Sequence, residues 1–147
     1  MSVSEERVVG FKRLSSANWL TVDPAWEGVV ISLSGSDPST GWVEDPTRVE
    51  LDSVIPLSLR QVFEVARGTL VDGLMFYPLL TLGAEQLFRV LEAAVSLQCH
   101  ALNAPSQIRA FARKIDRLTS QKLITPEEQA RWNAMRKLRN LGFPPTE

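Results

Sequence analysis

One cysteine and one histidine are the residues best suited to act as a nucleophile and a base near neutral pH, and they are neighbours, Cys99 and His100. They fall in a helical pattern, where adjacent side chains point about 100° apart and do not face each other. We therefore interpret them as packing or surface residues. The sequence has no glycine-rich phosphate loop and no CxxC, HExxH or GxSxG motif, so we expect no metal and no cofactor.

A second group of candidate residues is charged. Glu85, Arg89 and Glu92 lie along one face of a predicted helix and could form ion pairs or a polar site. The alternative is a solvated ladder of charges, which is the commoner outcome for this spacing.

Basic residues concentrate in the last third of the chain. Residues 105–147 contain 9 Lys/Arg and 4 Asp/Glu, whereas residues 1–104 contain 7 and 13. Three of these bases recur every fourth residue on one predicted helix and two follow on the next: Arg109, Arg113, Arg117, Arg136 and Arg139. Positive charges in a line are what phosphate contacts need, so this stripe is a candidate RNA-binding surface. The alternative is again an ordinary solvated face, neutralised by acids elsewhere in the fold.

The composition indicates one globular core with an appendage. The chain has 147 residues, of which 44% are hydrophobic and 22% charged. Charges break up the first twenty residues, and Glu85 and Arg89 interrupt the most apolar region, so we expect neither a signal peptide nor a membrane span. A single cysteine is consistent with a reducing cytoplasm.

Residues 1–56 have the pattern of a small, partly β appendage. Turn residues cluster in SGSDPSTG (34–41) and VEDPT (43–47), and two short runs rich in β-branched or alternating residues flank them, at 28–33 and 48–52. These runs predict a β-hairpin, or an irregular appendage, lying on the helices.

Three of the four tryptophans belong to this segment, Trp19, Trp26 and Trp42. We expect them to anchor the appendage to the helical part. The alternative is that they are exposed and stack on bases or hold a peptide.

From residue 57 to 147 the period is that of amphipathic helices, predicted at 58–72, 78–102, 106–121 and 126–140. Capping signals mark their ends. Ser58 with Gln61 and Ser106 are predicted caps, and Gly73 is a predicted terminator. Thr125-Pro126-Glu127-Glu128 combines an N-cap, a first-turn proline and a capping-box glutamate.

Four amphipathic helices with short connections predict a bundle, so the fold class is mainly α. The predicted core is the set of apolar residues Phe63, Leu87, Leu91, Phe111, Ile115 and Trp132.

Three stretches of this helical part resemble the HEPN superfamily, in particular the bacterial family called domain of unknown function 4145. They read SLRQVFEVARGTLVDGL, FYPLLTLGAEQLFRVLEAAV and IRAFARKIDRLTSQKLITPEEQARWNAMRKLRN. The likeness extends from Pro56 to Asn140, and its order and spacing are more specific than any single stretch. It implies a HEPN-like four-helix bundle that pairs as a homodimer.

Active members of that superfamily are metal-independent ribonucleases whose motif is an arginine followed, after four to six residues, by a histidine. The histidine would transfer protons while the arginine stabilises the charged transition state. Arg139 and Asn140 resemble the first half of the motif. The histidine is missing, because the positions in question are Pro144, Pro145 and Thr146. Counting from Arg136 instead gives Leu141, Gly142 and Phe143.

The sequence therefore predicts a non-catalytic HEPN-like interaction module, a homodimer that binds a protein or RNA partner in a bacterial cytoplasm. The alternative is an endoribonuclease toxin or defence effector that uses Arg136, Arg139 and Asn140 with an atypical base. A third interpretation is a purely structural subunit.

Overall fold

The computed structural model describes residues 10–26 and 38–142. Within these ranges the chain forms a short 3-10 helix, Pro24–Trp26, and five α-helices and has no strand. The α-helices are α1 (Pro38–Arg48), α2 (Leu57–Asp72), α3 (Leu79–Ala101), α4 (Phe111–Ser120) and α5 (Pro126–Gly142). The predicted mainly helical class is confirmed. No described helix has the length and apolar character needed to cross a membrane.

The chain divides into two compact units at residues 88 and 89, within α3. Unit one contains the N-terminal segment, α1, α2 and the start of α3. Unit two contains the rest of α3, α4 and α5.

In unit one, α2 buries Leu59, Phe63 and Ala66, whose spacing of four and three residues places them on one face. The helix starts one residue earlier than predicted, and the capping box at Ser58 is not formed. Pro56 is the residue before the first turn, and its carbonyl accepts the N–H groups of Leu59 and Arg60. Ser58 therefore lies inside the helix, where its hydroxyl cannot act as the N-cap.

The C-terminal end of α2 meets the start of α3 at close range. A Cβ atom at Gly83 would lie 2.8 Å from Leu70 Cγ, too close for any side chain there. Gly73 follows the last residue of α2, as predicted, and a Cβ there would lie 2.9 Å from Leu80 Cδ2. Both glycines permit the two helices to approach within side-chain contact of each other.

The prediction for residues 34–52 is wrong where the structure describes it. Residues 38–47, predicted as a turn region, form α1 together with Arg48, the first residue of the second predicted strand, 48–52. The rest of that strand, 49–52, is irregular. The first predicted strand, 28–33, lies outside the described residues. Pro38 is compatible with helix at a first-turn position, because its missing N–H would have no partner there. A tertiary contact, made by Trp42, also attaches this helix to α2.

Two of the three predicted tryptophan anchors are confirmed. The Trp42 indole N–H donates to the Leu70 carbonyl at 3.1 Å, and that of Trp26 donates to the Gly73 carbonyl at 2.9 Å. The two indole rings are in edge contact, with centroids 4.6 Å apart. These contacts attach α1 and the 3-10 helix to the end of α2. Trp19 is different, since it is 59% exposed.

The N-terminal segment is also held by a buried carboxylate that the sequence did not reveal. Asp23 is fully buried, and its two carboxylate oxygens accept the backbone N–H groups of Lys12, Ala25 and Tyr77 at 2.9–3.1 Å. Its own N–H donates to the Leu74 carbonyl. Buried carboxylates are stable when hydrogen bonds replace lost hydration, and here backbone groups provide them.

Lys12, next to this carboxylate, is buried as well. Its ammonium group donates to the carbonyls of Asn18 at 2.7 Å and Thr21 at 2.5 Å. Hydrogen bonds from the charged Lys12 side chain therefore hold the loop formed by residues 13–22.

In unit two the core consists of Val95 and Cys99 on α3 with Ile115 and Leu118 on α4. Partly buried apolar residues pack around it: Leu102, Ala104, Phe111, Ile124 and Trp132. The predicted core positions Ile115 and Phe63 are confirmed as buried. Phe111 and Trp132 are half-buried and pack against this core, as predicted, and Leu87 and Leu91 are half-buried.

Helix α4 starts at Phe111, five residues later than predicted. Residues 105–108 form a turn closed by the Ile108 N–H and the Pro105 carbonyl, and Ala110 is extended. Ser106 therefore caps no helix. Asn103, with a φ of 51°, ends α3 in the left-handed region, where Ala104 N–H closes onto the Cys99 carbonyl.

The capping box before α5 is confirmed. Thr125 N–H donates to Glu128 Oε2 at 2.7 Å, and Glu128 N–H donates to Thr125 Oγ1 at 3.1 Å. Because the signal is entirely local, the sequence located this helix start correctly.

The structure predicts that Asp23→Ala loosens the N-terminal segment of unit one. Leaving buried N–H groups without an acceptor costs about 1–3 kcal/mol, so amide hydrogen exchange at Lys12, Ala25 and Tyr77 should accelerate by roughly tenfold to hundredfold. Exchange can be followed residue by residue by NMR. The matched control is Asp52→Ala, because the Asp52 carboxylate accepts the Val54 N–H in an exposed turn. Unchanged exchange at Tyr77 in Asp23→Ala would contradict this assignment.

Candidate functional site

Arg139, the arginine that resembles the first half of the HEPN motif, forms an ion pair. Arg139 on α5 contacts the Glu92 carboxylate on α3 through Nη1, in a partly exposed position where the side chains are 34% and 41% exposed. The spacing along α3 predicts that Glu92 takes part in ion pairs or a polar site with Glu85 and Arg89, or lies in a solvated ladder of charges. The structure instead brings it to Arg139, while Asn140 is exposed on α5.

The predicted stripe of three arginines on one helix is not formed. Arg109 precedes α4, so only Arg113 and Arg117 share that helix. Arg109 and Arg113 are exposed, whereas Arg117 and Arg136 are half-buried. The Nε atoms of Arg117 and Arg136 are buried and make no hydrogen bond within the described residues. Any phosphate contact by these two side chains must use the terminal nitrogens.

Arg109 instead belongs to a pocket in unit two, with a volume of about 390 Å³. Its walls come from α3, from the turn before α4 and from the first turn of α4. The residues that line it are Arg89, Glu92, Ala93, Ser96, Arg109, Phe111 and Lys114. Three of the seven are cations, and the volume lies within the range of small-molecule sites.

Hydrogen bonds fix the polar side of the pocket. The Lys114 ammonium donates to Ser96 Oγ at 2.8 Å, and the Ser96 hydroxyl donates to the Glu92 carbonyl at 2.7 Å. An ammonium group has three N–H donors, so Lys114 is oriented by one and keeps two for a ligand.

Sequence analysis singled out Arg89, Glu92 and Arg109 but missed the contribution of Ser96 and Lys114. Ser96 lies four residues after Glu92, on the same face of α3, which is the one signal in the sequence that could have pointed to it. Lys114 reaches Ser96 through the packing of α4 on α3, and spacing along the chain does not reveal that contact.

Cys99 and His100 do not form a catalytic pair. Cys99 is buried in the core, with its thiol near the Lys114 carbonyl at 3.7 Å, and His100 is exposed. Within residues 10–26 and 38–142, no group of three His, Cys, Asp or Glu residues is placed to hold a metal ion.

Unit one has a pocket of about 290 Å³ beside α2. One of the cations that line it, Arg67, already donates hydrogen bonds to other groups of the chain. The Arg67 guanidinium contacts both Glu64 carboxylate oxygens and donates to the Thr47 and Val49 carbonyls. It braces the end of α1 against α2 and has little donor capacity left for a ligand.

The partial exposure of the Glu92–Arg139 pair predicts a measurable but modest coupling. A double-mutant cycle with Glu92→Gln and Arg139→Gln should give about 0.5–1 kcal/mol in the free energy of unfolding, decreasing with added salt. The control is the exposed pair Asp45 and Arg48, whose side chains are 75% and 73% exposed. Its cycle should give at most about 0.3 kcal/mol. Equal coupling in the two cycles, measured by urea denaturation, would show that Glu92 does not hold Arg139.

Comparison with known proteins finds no relative of this chain. No family model matches the chain, and neither curated proteins nor solved structures contain a match to it.

Proposed function

We propose that this chain is a non-catalytic HEPN-like interaction module, a homodimer that binds a protein or RNA partner in a bacterial cytoplasm. The observation that carries the proposal is the contact between Arg139 and Glu92. A carboxylate beside the motif arginine offsets the positive charge that would otherwise stabilise a phosphorane-like transition state.

The missing histidine supports the same conclusion. Positioned acid–base groups typically contribute about a hundredfold to ten-thousandfold in rate. After Arg136 and Arg139, the positions where the motif requires histidine hold apolar residues, glycine, proline or threonine. None of these side chains can transfer a proton at neutral pH.

Self-association is supported by exposed apolar residues on α5. Met135, Leu138 and Leu141 recur every third residue and are 41%, 67% and 81% exposed. Spacing of three places them along one side of the helix, and clustered exposed apolar side chains mark interaction surfaces. We propose that a second copy of the chain, related by a two-fold axis, covers these three residues with its own Met135, Leu138 and Leu141.

One observation favours the rival function, metal-independent RNA cleavage. Glu92 supplies a carboxylate beside Arg139 and could serve as the atypical base that such an enzyme would need. The two functions differ in their response to the same assay, because only an enzyme turns over.

The proposal predicts a dimer without ribonuclease activity. Light scattering at high micromolar concentration should give twice the chain mass. Leu138→Asp should shift the protein towards monomer, because a charge buried in an apolar interface is strongly unfavourable. The control is Leu123→Asp, at a residue 47% exposed in the turn before α5, which should remain dimeric.

A labelled RNA incubated with the wild type should stay intact. Cleavage that disappears in both Arg139→Ala and Glu92→Gln would replace the proposed function with the enzymatic one. A wild-type monomer at high micromolar concentration would refute self-association.

A further inference from the structure

The pocket of unit two combines a charge excess with a defined size. Arg89, Arg109 and Lys114 line it, and within the described residues no carboxylate lies at ion-pair distance from any of the three. Its one acidic residue, Glu92, already contacts Arg139. Three cations around a single concave volume create a positive electrostatic potential. This potential favours the binding of a multiply charged anion.

The hydrogen bond between Lys114 and Ser96 holds one of the three cations in a defined position in the pocket wall. Lys114 is half-buried, and its ammonium is fixed by the hydrogen bond to Ser96. Its remaining donors, together with two guanidinium groups, match the several oxygens of a tetrahedral oxyanion, to which arginine donates through paired N–H groups.

Phe111 adds an apolar wall. It is half-buried, and its ring lies 6.2 Å from that of Trp132, centroid to centroid. A ligand with a planar or apolar part can lie against this wall while its charged group meets the cations, a combination typical of small-molecule sites.

We propose that this pocket binds a small phosphomonoester, with the phosphate dianion between Arg89, Arg109 and Lys114 and the organic group against Phe111. The inference is independent of the homodimer and of the HEPN-like function. The exposed apolar residues of α5 do not line the pocket, and Arg139 enters only as the ion-pair partner of Glu92. A phosphodiester backbone offers one charge per phosphate. A monoester concentrates two charges on one group, and its size suits an open pocket of about 390 Å³ that three cations line.

The test is calorimetric titration of the full-length chain with phenyl phosphate. Benzoate is the matched probe, with a similar ring and one charge instead of two. Phenyl phosphate should bind at least about tenfold more tightly than benzoate, since a second charge and a third oxygen engage more of the cations.

Ala93 allows the pocket to be changed with little risk to the fold, because it is exposed on α3. Ala93→Glu places a carboxylate among the cations and should weaken phenyl phosphate binding by roughly tenfold or more, whereas Ala93→Gln, of equal size and no charge, should change it by only about twofold. Lys114→Met should give a loss similar to that of Ala93→Glu. Arg113→Ala, an exposed arginine that does not line the pocket, should bind as the wild type does.

Three results would overturn the proposal. They are the absence of phenyl phosphate binding to the wild type at millimolar concentration, equal affinities for phenyl phosphate and benzoate, and equal losses in Ala93→Glu and Ala93→Gln. A short RNA with a 5′-hydroxyl end serves as competitor. If it displaces phenyl phosphate at equal phosphate concentration, the pocket recognises the phosphodiester backbone and the monoester assignment is wrong.

Discussion

The arrangement of unit two depends on the packing of Ile115 and Leu118 against Val95 and Cys99. Helix α4 has ten residues, fewer than an isolated helix needs to be stable in water, so its apolar face must be buried against α3 for it to form. Lys114 precedes the fully buried Ile115, and this core therefore sets where its ammonium meets Ser96. A change that loosened the core would separate the two walls of the pocket.

In unit one, hydrogen bonds from polar groups hold the N-terminal segment in place. Most of the large apolar side chains in its N-terminal segment are exposed, namely Leu14, Trp19, Leu20 and Val22. Hydrogen bonds to Asp23 and from the Trp26 indole attach this segment to the end of α2, and the Trp42 indole attaches α1 to the same end. Such bonds are specific in direction, because each needs a donor aligned with an acceptor, and the irregular chain acquires a defined path.

The sequence predicted best the features that depend on neighbouring residues. Helices α2, α3 and α5 follow from periodic apolar residues, and Thr125 with Glu128 marks the start of α5 within four residues. Helix α1 was missed because its glycine and prolines indicate turns, and because its contact with α2, from Trp42 to Leu70, spans 28 residues and is invisible to local patterns. The pocket was missed for a similar reason. Its cations come from separate segments, and one of them, Arg109, was assigned to a helix that starts only at Phe111.

Arg89, Arg109 and Lys114 are expected to act together as one anion site. A crystal structure of the full-length chain grown with tungstate, a tetrahedral dianion with strong anomalous scattering, would locate the bound anion. We expect an anomalous peak within hydrogen-bond distance of all three side chains, with the Lys114 ammonium still bound to Ser96. A peak at Arg136 or Arg139 with none in the pocket, or a pocket in which the three cations diverge, would contradict it.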